Sequence, residues 1–139
     1  MIGIVIVAHG GLAREYRLAV EHVVGPQQGI RAVTIEDDHD RVAKQAEIRA
    51  AADSVDTGDG VVVVTDIFGG SPSNLSIPAC AMQGRMILYG ANLPMLVKLA
   101  KTRHLPLSEA VEGAKEAGRK YIDSYDVFLD LFEKEGKLA

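Results

Sequence analysis

Tryptophan is absent from this 139-residue chain, aromatic residues make up only 5%, and cysteine occurs once. A lone Cys80 can form no intrachain disulfide, and its apolar, helix-like surroundings favour a buried thiol without a catalytic role. No apolar run approaches the ~20 residues that cross a bilayer, so the sequence reads as a soluble protein. The first residues carry neither a basic n-region nor a cleavage-like site, so the opening apolar stretch is expected to be a strand, not a signal peptide, in a cytoplasmic protein. Lysine and arginine form no block, and the net charge is −4. That balance argues against a nucleic-acid surface and leaves small molecules or proteins as partners.

What is present is a chain 47% hydrophobic, long enough to bury a core and too short for a second full domain. It opens "MIGIVIVAHGG", whose residues 2–7 are β-branched enough for a strand buried on both faces, ending at His9. Leu12, Tyr16, Ala19, Val20, Val23 and Val24 then recur at helical spacing, closed by Gly25-Pro26. A strand at 30–35 precedes the acidic turn "EDDHD" and a charged, alanine-rich helix over about 40–55. A second apolar strand at 61–65 runs into "DIFGGSPSN", where Ser71 and Pro72 look like the N-cap and first residue of a helix that Pro78 interrupts. "GRMILYG" supplies another strand, Pro94 starts a helix to about 102, Ser108 caps the next and Gly118 ends it. In the tail, alternation over 121–126 permits a strand, while Tyr125, Phe128, Leu129 and Phe132 have helical spacing. A short strand followed by a terminal helix is the expectation. Strand and helix in turn imply an α/β fold, a parallel sheet with helices on both faces, and no internal repeat interrupts it.

Open parallel sheets bind ligands beyond the carboxyl ends of their strands, where the strand order reverses. "AHGG", "DIFGGSPSN" and "GANLP" all sit at such ends. They converge if the order is 2-1-3-4, and His9 then faces Asp66. A carboxylate bonded to one imidazole nitrogen fixes the tautomer and leaves the other as nucleophile or base. Gly10 and Gly11 let a ligand approach the backbone, and the helix starting there turns unpaired amides to the same space, as Gly69, Gly70 and Ser71 do for the later helix. Such N-termini favour phosphate. Each residue also has a plainer reading: His9 as a hydrogen-bonded strand end, Asp66 as a loop cap, Ser71 as an N-cap and the glycines as turn formers. Convergence on one edge favours the functional reading. His22, His39 and His104 are read as surface residues.

At these residues the sequence resembles the mannose-family enzyme IIA domains of the bacterial sugar phosphotransferase system. The similarity runs from "IVIVAHG" through "VVVVTDIFGGSPSN" and "GANLPMLVKL" to "EAGRK", so residues 1–139 are expected to form one such domain. The resemblance implies that His9 accepts a phosphoryl group from the phosphocarrier HPr and passes it to a IIB partner. It implies that Asp66 hydrogen-bonds the active histidine, that Ser71 lies near the phosphoryl group, and that Asn92, which shares the matching loop with Leu93, joins Gly10, Gly11, Gly69, Gly70 and Ser71 in binding that group. It also implies a parallel sheet of order 2-1-3-4 with an antiparallel strand, here "RKYIDSYD", exchanged within a homodimer, no metal or other cofactor, and at most peripheral contact with a membrane permease. Ile67 and Phe68 stand where Thr and Trp are common in the family, which removes a hydroxyl at position 67. Pro78 and the apolar ending "YDVFLDLF" are further departures.

Two rival classes share features of the chain. Sirohydrochlorin chelatases also end their first strand on His-Gly but need a second histidine, for which His104 is poorly placed. The phosphoryl-donor subunit of dihydroxyacetone kinase shares the fold but has "DLGSA" where this chain has "DIFGGSPSN". A regulatory IIA protein, whose phosphorylation state controls a partner, would use His9 in the same way.

Overall fold

The computed structural model describes residues 1–138. Four parallel strands, β1 (Gly3–His9), β2 (Ile30–Ile35), β3 (Val61–Thr65) and β4 (Arg85–Leu88), form one sheet in the order β2-β1-β3-β4. Around it lie α1 (Leu12–Val24), α2 (Arg41–Val55), α3 (Ser71–Cys80), α4 (Leu93–Lys101), α5 (Leu107–Lys120) and α6 (Val127–Leu138).

The two central strands are buried along their length, apart from His9 at the tip of β1. Successive side chains of a strand point to opposite faces. Ile4, Ile6, Ala8, Val62 and Val64 therefore pack against Ala13 and Val20 of α1, Leu96 and Leu99 of α4, and Ala110 and Ala114 of α5. Val5, Val7, Val61 and Val63 pack on Ile48 and Ala52 of α2 and on Leu75 and Ala79 of α3. Burying each Val or Ile contributes roughly 1.5–3 kcal/mol, so this double burial anchors both strand ends that carry the site. A close approach sharpens the packing at Gly3, where an added Cβ would collide with the Val55 carbonyl at the end of α2.

The opposite edge is fastened by Arg103, which is buried after α4. Its guanidinium donates to the Ile2, Gln28 and Gly29 carbonyls and to Gln27 Oε1, while Ile2 N–H donates to the Arg103 carbonyl at 2.9 Å. The start of β1 and the turn into β2 are thus held by one side chain.

Several expected boundaries move. Gly70, not Ser71, is the N-cap of α3, and Ser71 and Pro72 are its first two residues; a glycine in extended conformation serves there without a side-chain bond. The helix also continues past Pro78 to Cys80. Pro106, not Ser108, precedes α5, and Gly118 lies inside that helix, against Met95 and Asn92 of the α4 start, instead of ending it. In α1 the buried stripe centres on Ala13 and Val20, with Tyr16 and Val24 packed beside them, leaving Leu12 and Val23 exposed. Residues 121–126 form neither helix nor a ladder within the chain, and α6 follows them, begun by Asp126 accepting from Leu129 N–H at 2.8 Å.

Candidate functional site

The order β2-β1-β3-β4 places the reversal between β1 and β3, whose carboxyl ends are neighbours. Val7 is paired with Thr65, the last residue of β3, so β1 outruns its neighbour by two residues. The His9 N–H consequently finds no strand carbonyl there. It donates instead to Asp66 Oδ2 at 3.0 Å, and the same oxygen lies 2.8 Å from His9 Nδ1.

This double contact assigns the tautomer. An ionised carboxylate only accepts, so the ring must donate from Nδ1, which leaves Nε2 with a free lone pair. Asp66 Oδ1 takes a further bond from Ile67 N–H at 3.0 Å. Burial by itself pushes the Asp66 carboxyl up, but the bonds from the His9 amide and ring and from the Ile67 amide outweigh it. The carboxyl is held below its ordinary value of 3.8. The Asp66 side chain is 9% exposed and the His9 side chain 50%. The pair is therefore a fixed carboxylate beneath a half-exposed imidazole.

Two amide-rich turns border the ring. Gly10 takes a positive φ of 55° and donates to the Ile35 carbonyl, and Gly11 caps α1 without any side-chain bond. Gly69, at φ 84°, turns the chain into Gly70 and α3, which also starts without a side-chain cap. A Cβ added at Gly70 would stand 3.4 Å from His9 Cε1 and 3.1 Å from Ile67 Cδ1. The first turn of α3 thus lies against the imidazole, and amides that neither helix uses internally are available to an anion. Ser71 is exposed at this end, and its hydroxyl has no hydrogen bond among the described residues.

Asn92 is placed differently from the expectation of a phosphoryl contact. Its Oδ1 accepts from Met95 N–H at 3.0 Å and its Nδ2 donates to the Gly118 carbonyl at 2.8 Å. The side chain caps α4 and ties it to α5, so its polar atoms are already committed. The β4 loop is held to the site by a residue that sequence reading places only in the α1 stripe: the Tyr16 hydroxyl donates to the Ala91 carbonyl at 3.1 Å. Phe68, 79% exposed, meets Tyr89 edge to face. Helical periodicity flags Tyr16, but nothing in it foretells which carbonyl its hydroxyl reaches.

His104 follows the α4 turn beside Arg103, at the opposite edge of the sheet from His9, so the two imidazoles share no site. Among the described residues no three His, Cys, Asp or Glu side chains are grouped to hold a metal ion. Cys80 ends α3, half-buried, and burial pushes its thiol up to about 11. No described helix is long and apolar enough to cross a membrane.

The sequence matches the EIIA-man family, the PTS system fructose IIA component, over residues 3–116. The PTS system mannose-specific EIIAB component of Escherichia coli strain K12 is 28% identical over 122 residues, 86% of this chain. The chain spans only 38% of that relative's length. The PTS system fructose-specific EIIA component of Bacillus subtilis strain 168 is 26% identical over 136 residues, covering 96% of this chain and 91% of that protein. Among solved structures, the mannose/sorbose specific IIA subunit of Enterococcus faecalis superposes with a TM-score of 0.80 over 90% of this chain and 95% of the other, at 20% identity. That last likeness is one of fold.

Proposed function

The chain belongs to the EIIA-man family of phosphotransferase-system IIA components, and from that premise we propose that it is a phosphohistidine carrier acting through His9. It accepts a phosphoryl group from HPr and passes it to a IIB component, as a single cytoplasmic transfer domain over residues 1–139. The observation that carries this reading is the His9–Asp66 pair, at 2.8 Å, with Nε2 left free beside two uncapped helix starts.

The chemistry follows from that arrangement. Nε2 attacks the phosphorus of the donor phosphohistidine in line; an N–P bond forms on His9 as the donor's N–P bond breaks and its electron pair returns to the donor ring. Nδ1 keeps its proton throughout. The phosphorylated ring therefore carries positive charge, and the Asp66 carboxylate at 2.8 Å stabilises it. Phosphoryl transfer of this kind is mostly positioning and stabilisation of charge on the equatorial oxygens. Amides at Gly11, Gly70 and the first turns of α1 and α3, with the Ser71 hydroxyl, serve those oxygens. The second transfer reverses the same steps.

The protein works as a homodimer that exchanges an antiparallel strand drawn from "RKYIDSYD"; Arg119 and Lys120 close α5, which leaves residues 121–126 of that stretch to form it. Support comes from β4, whose outer side is the edge of the sheet, and from a groove of about 480 Å³ between β4 and α5, lined by Met86, Leu88, Tyr89, Val111, Arg119 and Ile122. The test of the carrier function is incubation with phosphoenolpyruvate, enzyme I and HPr. The chain gains one acid-labile phosphate, and His9→Ala, folded by circular dichroism, gains none. Stoichiometric labelling of His9→Ala would remove His9 from the reaction.

A further inference from the structure

We propose that Thr65 is a positioning residue for the His9–Asp66 pair: its buried hydroxyl holds the Ile67 backbone, and through it the Asp66 carboxylate, in the orientation that meets His9 Nδ1. The inference rests on the carrier reading above and adds a residue that reaches the reacting ring only through Asp66.

Apart from His9, Thr65 is the only polar side chain in β1 and β3. Alternation along β3 puts it on the same face as Val61 and Val63, which the central strands otherwise fill with valine against α2 and α3. The residue is fully buried. A hydroxyl in such surroundings costs free energy unless it is bonded, and valine would fill the same shape without that cost. The hydroxyl therefore calls for a use beyond packing.

Its single bond supplies one. Thr65 Oγ1 donates to the Ile67 carbonyl at 3.3 Å, and Ile67 N–H donates to Asp66 Oδ1 at 3.0 Å. Both backbone groups of Ile67 are thus held, and among the described residues that carbonyl has no other donor. With Oδ1 anchored on the Ile67 amide, Oδ2 is left facing His9 N–H at 3.0 Å and Nδ1 at 2.8 Å. Where one oxygen is fixed, so is the other.

Thr65 acts from a rigid point. It pairs with Val7 of β1, its carbonyl accepts from Ala91 N–H at 3.0 Å, and the Ala91 carbonyl takes the Tyr16 hydroxyl. The turn it holds is much less secured, since Ile67 and Phe68 are exposed and Gly69 follows at positive φ. Apart from the edge-to-face contact of Phe68 with Tyr89, little packing keeps that turn in place.

Loss of the hydroxyl consequently acts on the tautomer and the rate. A carboxylate that strays from Nδ1 lets the ring carry its proton on Nε2, which removes the lone pair that attacks phosphorus. The surface that meets HPr is untouched.

Nitrogen-15 NMR of the His9 ring at about pH 8.5 and rapid-quench transfer from phosphorylated HPr test this in Thr65→Val and Thr65→Ser. Valine is β-branched like threonine, so the strand is kept. In the parent and in Thr65→Ser, which retains the hydroxyl, the ring holds its proton on Nδ1. In Thr65→Val an Nε2-protonated fraction appears, and the transfer rate at saturating HPr falls roughly 10-fold with the half-saturating concentration unchanged. Added to Asp66→Asn, Thr65→Val slows transfer no further, because both changes act on one contact. A Thr65→Val protein with the parental tautomer and rate, a Thr65→Ser protein as impaired as the valine variant, or purely additive losses in the double variant overturns the positioning role. A parent chain that takes no phosphate from HPr refutes the carrier function instead, and the tautomer comparison still decides for or against Thr65.

Discussion

At the scale of single residues, the site is organised by one carboxylate. Asp66 receives the amide and ring of His9 and the amide of Ile67, and these bonds hold its carboxyl below 3.8 despite burial. A carboxyl depressed in the folded state binds fewer protons there than in the unfolded chain, so its contribution to stability is present above about pH 3.8 and lost as pH falls through the folded value. Urea unfolding of the wild type and Asp66→Asn from pH 6 to pH 3 is expected to show a gap that narrows as pH falls; a constant gap would show the pairing contributes no such linkage. His9, Asp66 and the glycine-rich turns are legible in the sequence because strand ends in a parallel sheet gather at one edge and polar residues there stand out against apolar runs. The use of Asn92 is not legible. An Asn in a loop before Leu-Pro reads equally as ligand contact or cap, and only its distances to Met95 and Gly118 decide for the cap.

The elements are legible to different degrees for physical reasons. β1 and β3 are β-branched on both faces, a pattern that fits little besides a buried strand. Helix ends are less so: Gly70 and Pro106 precede α3 and α5 without any side-chain cap, while the nearby Ser71 and Ser108 look like caps and lie inside the helices. Arg103 is hidden altogether, since a lone Arg in "KTRHLP" reads as a solvated loop residue. Its burial beneath β1 and the carbonyls of Ile2, Gln28 and Gly29 makes it the fastening of the sheet's far edge. Arg103→Ala leaves those acceptors without a donor and is expected to cost about 3 kcal/mol, lowering Tm by roughly 10 °C. Calorimetry that finds the variant within 2 °C of the parent would contradict that role. The tail is ambiguous because its alternation belongs to a segment that finds no ladder within its own chain, and its helical spacing belongs to the helix after it.

For the whole molecule, the sheet order does the positioning. Reversal between β1 and β3 brings two loops from distant parts of the chain to one point, and rigid burial beneath them fixes where Nε2 stands. The central claim is that Asp66 claims Nδ1 and thereby directs phosphorylation to Nε2. Nitrogen-15 and phosphorus-31 NMR of the protein labelled on histidine and phosphorylated through HPr tests this most directly. Phosphorus coupled to Nε2 of His9, with Nδ1 still protonated, is the result predicted; phosphorus on Nδ1, or on any residue other than His9, would contradict the account.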